Sequence, residues 1–300
     1  MLARSVLPCF AVVLLSFATA AVADDAPQFV DVDGQRLHVN ITTSGDAHAP
    51  TVVFVTGLGT PLRSWSEVQP RVAAFARTLA YDRAGIGDSP AERAEPTPRH
   101  VATQLHALLA AAHLPPPYLL VGHSLGGAFI RMFAALYPAE VTALVYVDPV
   151  DFTQTRAEQL ALWKTLGSGA KGLAQFETIT SAWYASRGET YRRESAMAVA
   201  LDRDSWREFR QLPAVGNVPI IVLLSTRYDA PPPNVKLAWD DAAFARLRFA
   251  QRIEHFGRLV REAADGMLIT TSRSGHSIQL GEPELVVAAI RRALTPAPTR

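Results

Sequence analysis

The chain has 300 residues, 49% of them hydrophobic, and a formal net charge of +1. That length accommodates one large domain, or one domain carrying an insertion. The near-balanced charge, with no basic stripe interleaved with aromatics, argues against a nucleic-acid partner.

The first residues read as a secretory leader. Arg4 supplies a positive start, an apolar stretch runs from about Val6 to Ala18, and Ala21-Val22-Ala23 offers an A-x-A cleavage site. Residues 1–23 are therefore expected to be a signal peptide, with the mature chain periplasmic or secreted. The apolar run is short for a membrane span, so no stable membrane insertion is expected after cleavage. The single cysteine, Cys9, lies inside the leader. The mature chain should then carry no disulfide and no thiolate nucleophile.

Strand-like and helix-like runs alternate downstream, which implies a mainly parallel sheet covered on both faces. Phe29–Val32 and Arg36–Thr42 flank Asp33-Gly34, a hairpin turn signal, so the sheet should begin antiparallel. Thr51–Val55 and Leu79–Tyr81 read as buried strands. Pro98–His113 has helical spacing and is stopped by Pro115-Pro116-Pro117. Tyr118–Val121 is a strand, and Ala128–Tyr137 a helix closed by Pro138. Ala143–Val147 is a strand ending at Asp148-Pro149, and Pro219–Leu224 and Met267–Thr270 are two more. Glu284–Ala293 closes the chain as a helix. Residues 151–213 break the alternation. They are helical in character and too long for a connection, so they are expected to form a cap over residues 24–150 and 214–300. Most of the cap's aromatics (Phe152, Trp163, Phe176, Trp183, Tyr184, Trp206 and Phe209) should form its own core.

Between a strand and a helix stands Gly122-His123-Ser124-Leu125-Gly126, a G-x-S-x-G motif. A serine on so sharp a turn projects its hydroxyl above the sheet edge, and the helix start behind it offers free N–H groups. Ser124 is the candidate nucleophile. Such a hydroxyl needs a base. Of eight histidines, only His276 sits on a glycine-flanked loop between the last strand and the last helix. His38, His48, His100, His106, His113 and His255 are read as structural or solvated, and His123 as packing beside the nucleophile. The base needs an orienting acid. Asp148, ending one strand, and Asp229, just past the next, both satisfy the order Ser, Asp, His, with Asp151 a weaker third; the choice between the first two stays open. The backbone N–H groups of Leu58 and Leu125 are the candidate oxyanion donors, because Thr56-Gly57-Leu58-Gly59 lets the backbone approach a substrate.

Four motifs in this order resemble the α/β-hydrolase superfamily: Thr56-Gly57-Leu58-Gly59, Asp82-Arg83-Ala84-Gly85-Ile86-Gly87-Asp88-Ser89, Gly122–Gly127 and Gly275-His276. The resemblance implies an eight-stranded, mostly parallel sheet flanked by helices, with a helical cap and no metal or organic cofactor. Thr56 stands where many members carry histidine. The commonest acid position in the superfamily points to Asp229; a minority arrangement points to Asp148. Relatives that open epoxides or remove halides use an aspartate nucleophile, and Ser124 departs from them. The expected activity is hydrolysis of a small carboxylic ester through an acyl-enzyme. Amidase, peptidase, lactone or C–C hydrolysis on the same triad, and a binding protein with little turnover, are the alternatives. Oligomeric state is not legible.

Overall fold

The computed structural model describes residues 28–42, 49–215, 218–230 and 236–295; the side chains of 183–185 are excepted. The expected signal peptide, Cys9 and His48 lie outside the described residues, as do the side chains of Trp183 and Tyr184.

The chain opens as a hairpin, β1 (Gln28–Val32) and β2 (Gln35–Thr42), paired antiparallel. Asp33 and Gly34 both take positive φ, as the two-residue turn requires. There follow β3 (Thr51–Val55), the short α1 (Gln69–Ala73), β4 (Thr78–Tyr81) and α2 (Pro98–Ala111). Thr97 caps α2 by accepting the His100 N–H, with Pro98 in its first turn. Next come β5 (Tyr118–His123), α3 (Leu125–Leu136) and β6 (Val141–Val147). Four helices separate β6 from the next strand: α4 (Arg156–Thr165), α5 (Gly169–Ala185), α6 (Glu189–Arg203) and α7 (Arg207–Gln211). The chain then completes β7 (Ile220–Ser225), α8 (Asp241–Arg261), β8 (Gly266–Thr271), α9 (Ile278–Gly281) and α10 (Pro283–Leu294).

The eight strands form one sheet in the order β1-β2-β4-β3-β5-β6-β7-β8. The β1–β2 and β2–β4 pairs are antiparallel and the rest parallel. Both faces are buried, so the central strands are continuously apolar rather than alternating. Val53, Val55, Leu120 and Leu144 pack on one face with Leu105, Phe129 and Phe133 of α2 and α3. Val52, Phe54, Val121 and Val145 pack on the other with Trp65, Val72 and the α10 residues Val286 and Ile290. Strand order reverses at β3, because β4 lies on one side of it and β5 on the other. In such sheets the crevice beyond the carboxyl ends of the strands is the ligand position.

The fold departs from the sequence reading most plainly in α8 and in the insertion's aromatics, and the short α1 and α9 are also additions to it. The long helix α8 is absent from that reading, although Asp240 caps it. The aromatics of 151–213 divide between two cores. Trp163 and Phe176 pack with Trp239 and Phe244 from beyond the insertion. Phe152, Trp206 and Phe209 join the main core around Phe256. No helix among the described residues is long and apolar enough to cross a membrane.

Candidate active site

The sharp turn at Ser124 is real in the backbone. Ser124 has φ 53° and ψ −119°, a strained conformation for a residue with a side chain. Its N–H donates to the Val147 carbonyl, and its own carbonyl accepts from Gly127 and Val150. The motif glycines allow this packing. A Cβ on Gly126 would stand 2.3 Å from the Val55 carbonyl oxygen, and one on Gly122 would stand 2.6 Å from that of Gly126. Ser124 thus sits at the start of α3, above the ends of β3, β5 and β6.

His276 arrives from the loop after β8. Its Nε2 lies 2.9 Å from Ser124 Oγ and its Nδ1 lies 2.6 Å from Asp148 Oδ2. The imidazole is 58% exposed and the Asp148 side chain 5% exposed, so the base meets solvent while its partner does not. Asp148 follows β6. Its second oxygen accepts from the Ser225 N–H at 2.9 Å and from Arg252 Nη2 at 3.1 Å. Burial opposes charge on Asp148, but the His276 bond, Arg252 and the Ser225 N–H outweigh it and hold the carboxyl below the usual carboxylate range.

The other candidate acids do not meet His276, although Asp229 lines the same cavity. Asp229 is exposed and accepts from Arg227 Nε at 2.8 Å. One of its oxygens comes close to Gly275, yet no bond from it to His276 is present among the described residues. Asp151 receives His255 Nδ1 at 2.7 Å in a buried pair. Burial opposes charge on His255, but the Asp151 carboxylate outweighs it and raises the His255 pKa.

His123 does more than pack. Its Nε2 lies 3.0 Å from the backbone carbonyl of His276, and its ring stands 4.8 Å from the His276 ring. A carbonyl only accepts, so Nε2 carries the hydrogen. Burial, followed by the neighbouring His276, pushes the His123 pKa down to about 3, which keeps the ring neutral.

Leu58 and Leu125 both line the cavity that holds Ser124 and His276. The Leu58 N–H has no partner among the described residues. Leu125 is the first residue of α3, where N–H groups lack intrahelical acceptors. The Leu58 loop presses on the nucleophile: a Cβ on Gly57 would stand 3.0 Å from Ser124 Cβ and from His123 Nδ1. The cavity encloses about 520 Å³, and Phe176, Ala198 and Val199 of the insertion supply apolar lining. Asp202, Arg227, Arg248 and Arg252 also face it, so it is more polar than a cap of aromatics suggests.

The Asp82–Ser89 turn is a hydrogen-bonded hub. Asp82 accepts from the Leu62 N–H, the Asp88 N–H and His38 Nδ1. Ser89 Oγ donates to the Asp82 carbonyl. Gly87 is needed because a Cβ there would collide with the Asp82 carboxylate. His38, Asp82 and Asp88 group donor atoms of metal-ligand type, and Asp82 already uses both its oxygens to tie this turn to its neighbours.

This fold, with a strained serine, an imidazole and a buried carboxylate on loops at one sheet edge, defines a hydrolase-type site. The chain belongs to the alpha/beta hydrolase family, whose model matches residues 52–289. It is 30% identical over 161 residues to a protein named "Putative carbamate hydrolase RutD" of Escherichia coli O9:H4 (strain HS); the match covers 51% of this chain and 60% of that one. It is 35% identical over 99 residues to "Uncharacterized protein YqjL" of Bacillus subtilis (strain 168), across 33% of this chain and 39% of that protein. The chain therefore spans less than two thirds of the length of these curated relatives. Among solved structures, Cfl2 from Burkholderia cenocepacia superposes with a TM-score of 0.63 at 20% identity, over 90% of this chain and 95% of that one. The enol-lactonase from Burkholderia xenovorans LB400 superposes with a TM-score of 0.56 at 18% identity, over 90% and 100% of the two chains. At these identities the two likenesses show the fold alone.

Proposed function

We propose that this protein is an exported serine hydrolase that cleaves a small carboxylic ester through an acyl-enzyme. The observation that supports the reading most is the continuous contact from Ser124 Oγ through His276 to Asp148. In this mechanism His276 Nε2 takes the Ser124 proton as Oγ attacks the carbonyl carbon. Asp148 keeps the hydrogen on Nδ1 and stabilises the imidazolium. The N–H groups of Leu58 and Leu125 receive the developing oxyanion; removing one such donor typically lowers kcat by about 10²–10³-fold. His276 then returns the proton to the departing alcohol. Its exposed imidazole next activates a water that releases the acid.

Export rests on the leader alone. The serine nucleophile supports acyl transfer in general, and the ester is the proposed member of that class because the sequence singles out no residue set for a peptide terminus. The relative named for carbamate hydrolysis and the neighbour named as an enol-lactonase keep amide-like and lactone substrates within the test set. The test is turnover of p-nitrophenyl acetate, a p-nitroanilide and a simple lactone by the parent and by Ser124→Ala. Ester turnover well above the anilide, lost in Ser124→Ala, is expected. Near-parent turnover in Ser124→Ala would overturn the mechanism, and preferred anilide cleavage would overturn the substrate class.

A further inference from the structure

The insertion meets the loop around Leu58 through a buried carboxylate. Glu194, on α6, is 1% exposed. Its Oε2 accepts the Gly59 N–H at 2.6 Å. Both its oxygens accept from Arg83, at 2.8 Å from Nε and 2.9 Å from Nη2. Arg83 itself is 3% exposed and continues the chain of bonds. Its Nη1 donates to the Thr56 carbonyl and to Thr56 Oγ1, both at 2.8 Å. Its Nη2 also donates to the Gly57 carbonyl at 2.7 Å. All five N–H groups of the guanidinium are thereby satisfied.

The Gly57 carbonyl and the Leu58 N–H belong to one planar trans peptide, so they point in opposite directions. Holding the Gly57 oxygen on Arg83 turns the Leu58 N–H away from Arg83. That N–H is without a partner among the described residues, on a residue lining the cavity. Gly59, on the far side of Leu58, is pinned by Glu194. We infer that Arg83 and Glu194 are positioning residues for the Leu58 oxyanion donor, and that α6 is thereby a working part of the active site. The inference rests on the serine hydrolase reading above. It also gives Thr56 a role: its carbonyl and hydroxyl anchor Arg83.

The rest of α6 reinforces the seat. Thr190 Oγ1 donates to the Gly85 carbonyl at 2.8 Å. The Tyr191 ring covers Gly59 so closely that a Cβ there would stand 2.3 Å from it. Ser195, Ala198 and Val199 of the same helix line the cavity. A substrate that shifts α6 therefore also moves the group that orients the oxyanion donor.

Two variants of the full chain test this. Glu194→Gln replaces one acceptor with a donor that must face either Gly59 N–H or Arg83. The double variant Arg83→Met/Glu194→Met removes both charges together, which buried pairs tolerate far better than the loss of one partner. It guards against misfolding of the first. Circular dichroism fixes the folded concentration, and p-nitrophenyl acetate is the substrate. In both variants kcat should fall by about 10- to 100-fold with KM changed by less than about 3-fold, as misplacement of a transition-state donor requires. The inhibition constant of a trifluoromethyl ketone, whose adduct carries the oxyanion, should rise in the same proportion. A kcat within about 3-fold of the parent in the double variant overturns the inference. So does a fall in kcat with unchanged ketone affinity. Ser124→Ala is run alongside: activity that survives there overturns the serine mechanism itself, whereas intact kcat in the clamp variants overturns only the clamp.

Discussion

Replacing Asp148 with asparagine tests the acid without changing its shape. The buried carboxylate has Ser225 N–H and Arg252 Nη2 on one oxygen and His276 Nδ1 on the other. The first two are fixed donors, so the oxygen of the introduced amide must face them. Its NH2 group then points at His276 Nδ1, which can only accept. The imidazole hydrogen is driven to Nε2, and Nε2 can no longer take the Ser124 proton. Loss of the correct tautomer in a triad of this type lowers kcat by about 10⁴-fold, or roughly 5 kcal/mol. Stability should fall as well, by about 1.5–3 kcal/mol, because Arg252 loses a charged acceptor in a buried place. The Asp148 carboxyl is held below its ordinary range. Its contribution is therefore present above about pH 4 and is lost as pH falls through the lowered value, so the stability gap should close in acid. The assay is kcat on p-nitrophenyl acetate per folded molecule, with denaturant melts at neutral and acid pH. Asp229→Asn, measured in parallel, should stay within about 3-fold of the parent, because its partner is the exposed Arg227. Near-parent kcat in Asp148→Asn, or a loss confined to Asp229→Asn, would refute the assignment.

His123→Phe keeps a ring beside the nucleophile but removes the hydrogen bond to the His276 carbonyl. A net contribution of about 1 kcal/mol predicts roughly a 5-fold fall in kcat with little change in KM, read from steady-state kinetics. Asp151→Asn removes the charge that raises the His255 pKa against the opposing effect of burial. A raised value means the pair's contribution is complete below about pH 6.5 and fades as pH rises through the folded value. The melting-temperature gap between parent and variant should therefore be largest near about pH 5.5 and shrink toward about pH 9. A gap that widens with pH contradicts the pairing. Gly126→Ala, which drives a Cβ against the Val55 carbonyl, should lower stability by about 1–3 kcal/mol or more in denaturant titration.

The parts of this protein written in local sequence were legible. Fully buried strands such as Thr51–Val55 appear as unbroken apolar runs, and the Asp33-Gly34 turn dictates its own hairpin. The serine turn and the lone glycine-flanked histidine are likewise local signals. Asp148 and Asp229 could not be separated, because each follows a strand and their difference lies in partners 77 and 104 residues away from Asp148, at Ser225 and Arg252. Arg252 rides on α8, whose apolar positions are spaced among charges, and nothing near it marks a catalytic contact. Arg83 stood inside a quoted motif without a role, since that role appears only when Glu194, 111 residues further on, meets it. The insertion's aromatics were legible in part: Trp163 packs on Phe176 and Trp206 on Phe209 within it, but the first pair completes its cluster with Trp239 and Phe244 beyond it.

The measurement that bears most directly on the central claim is covalent labelling by a fluorophosphonate followed by peptide mass spectrometry. Only a hydroxyl activated by a neighbouring base reacts at low concentration. The account predicts one labelled site, Ser124, with labelling lost in Ser124→Ala and strongly slowed in His276→Ala. Parent protein that stays unlabelled, or label that persists on another residue when Ser124 is removed, would contradict it.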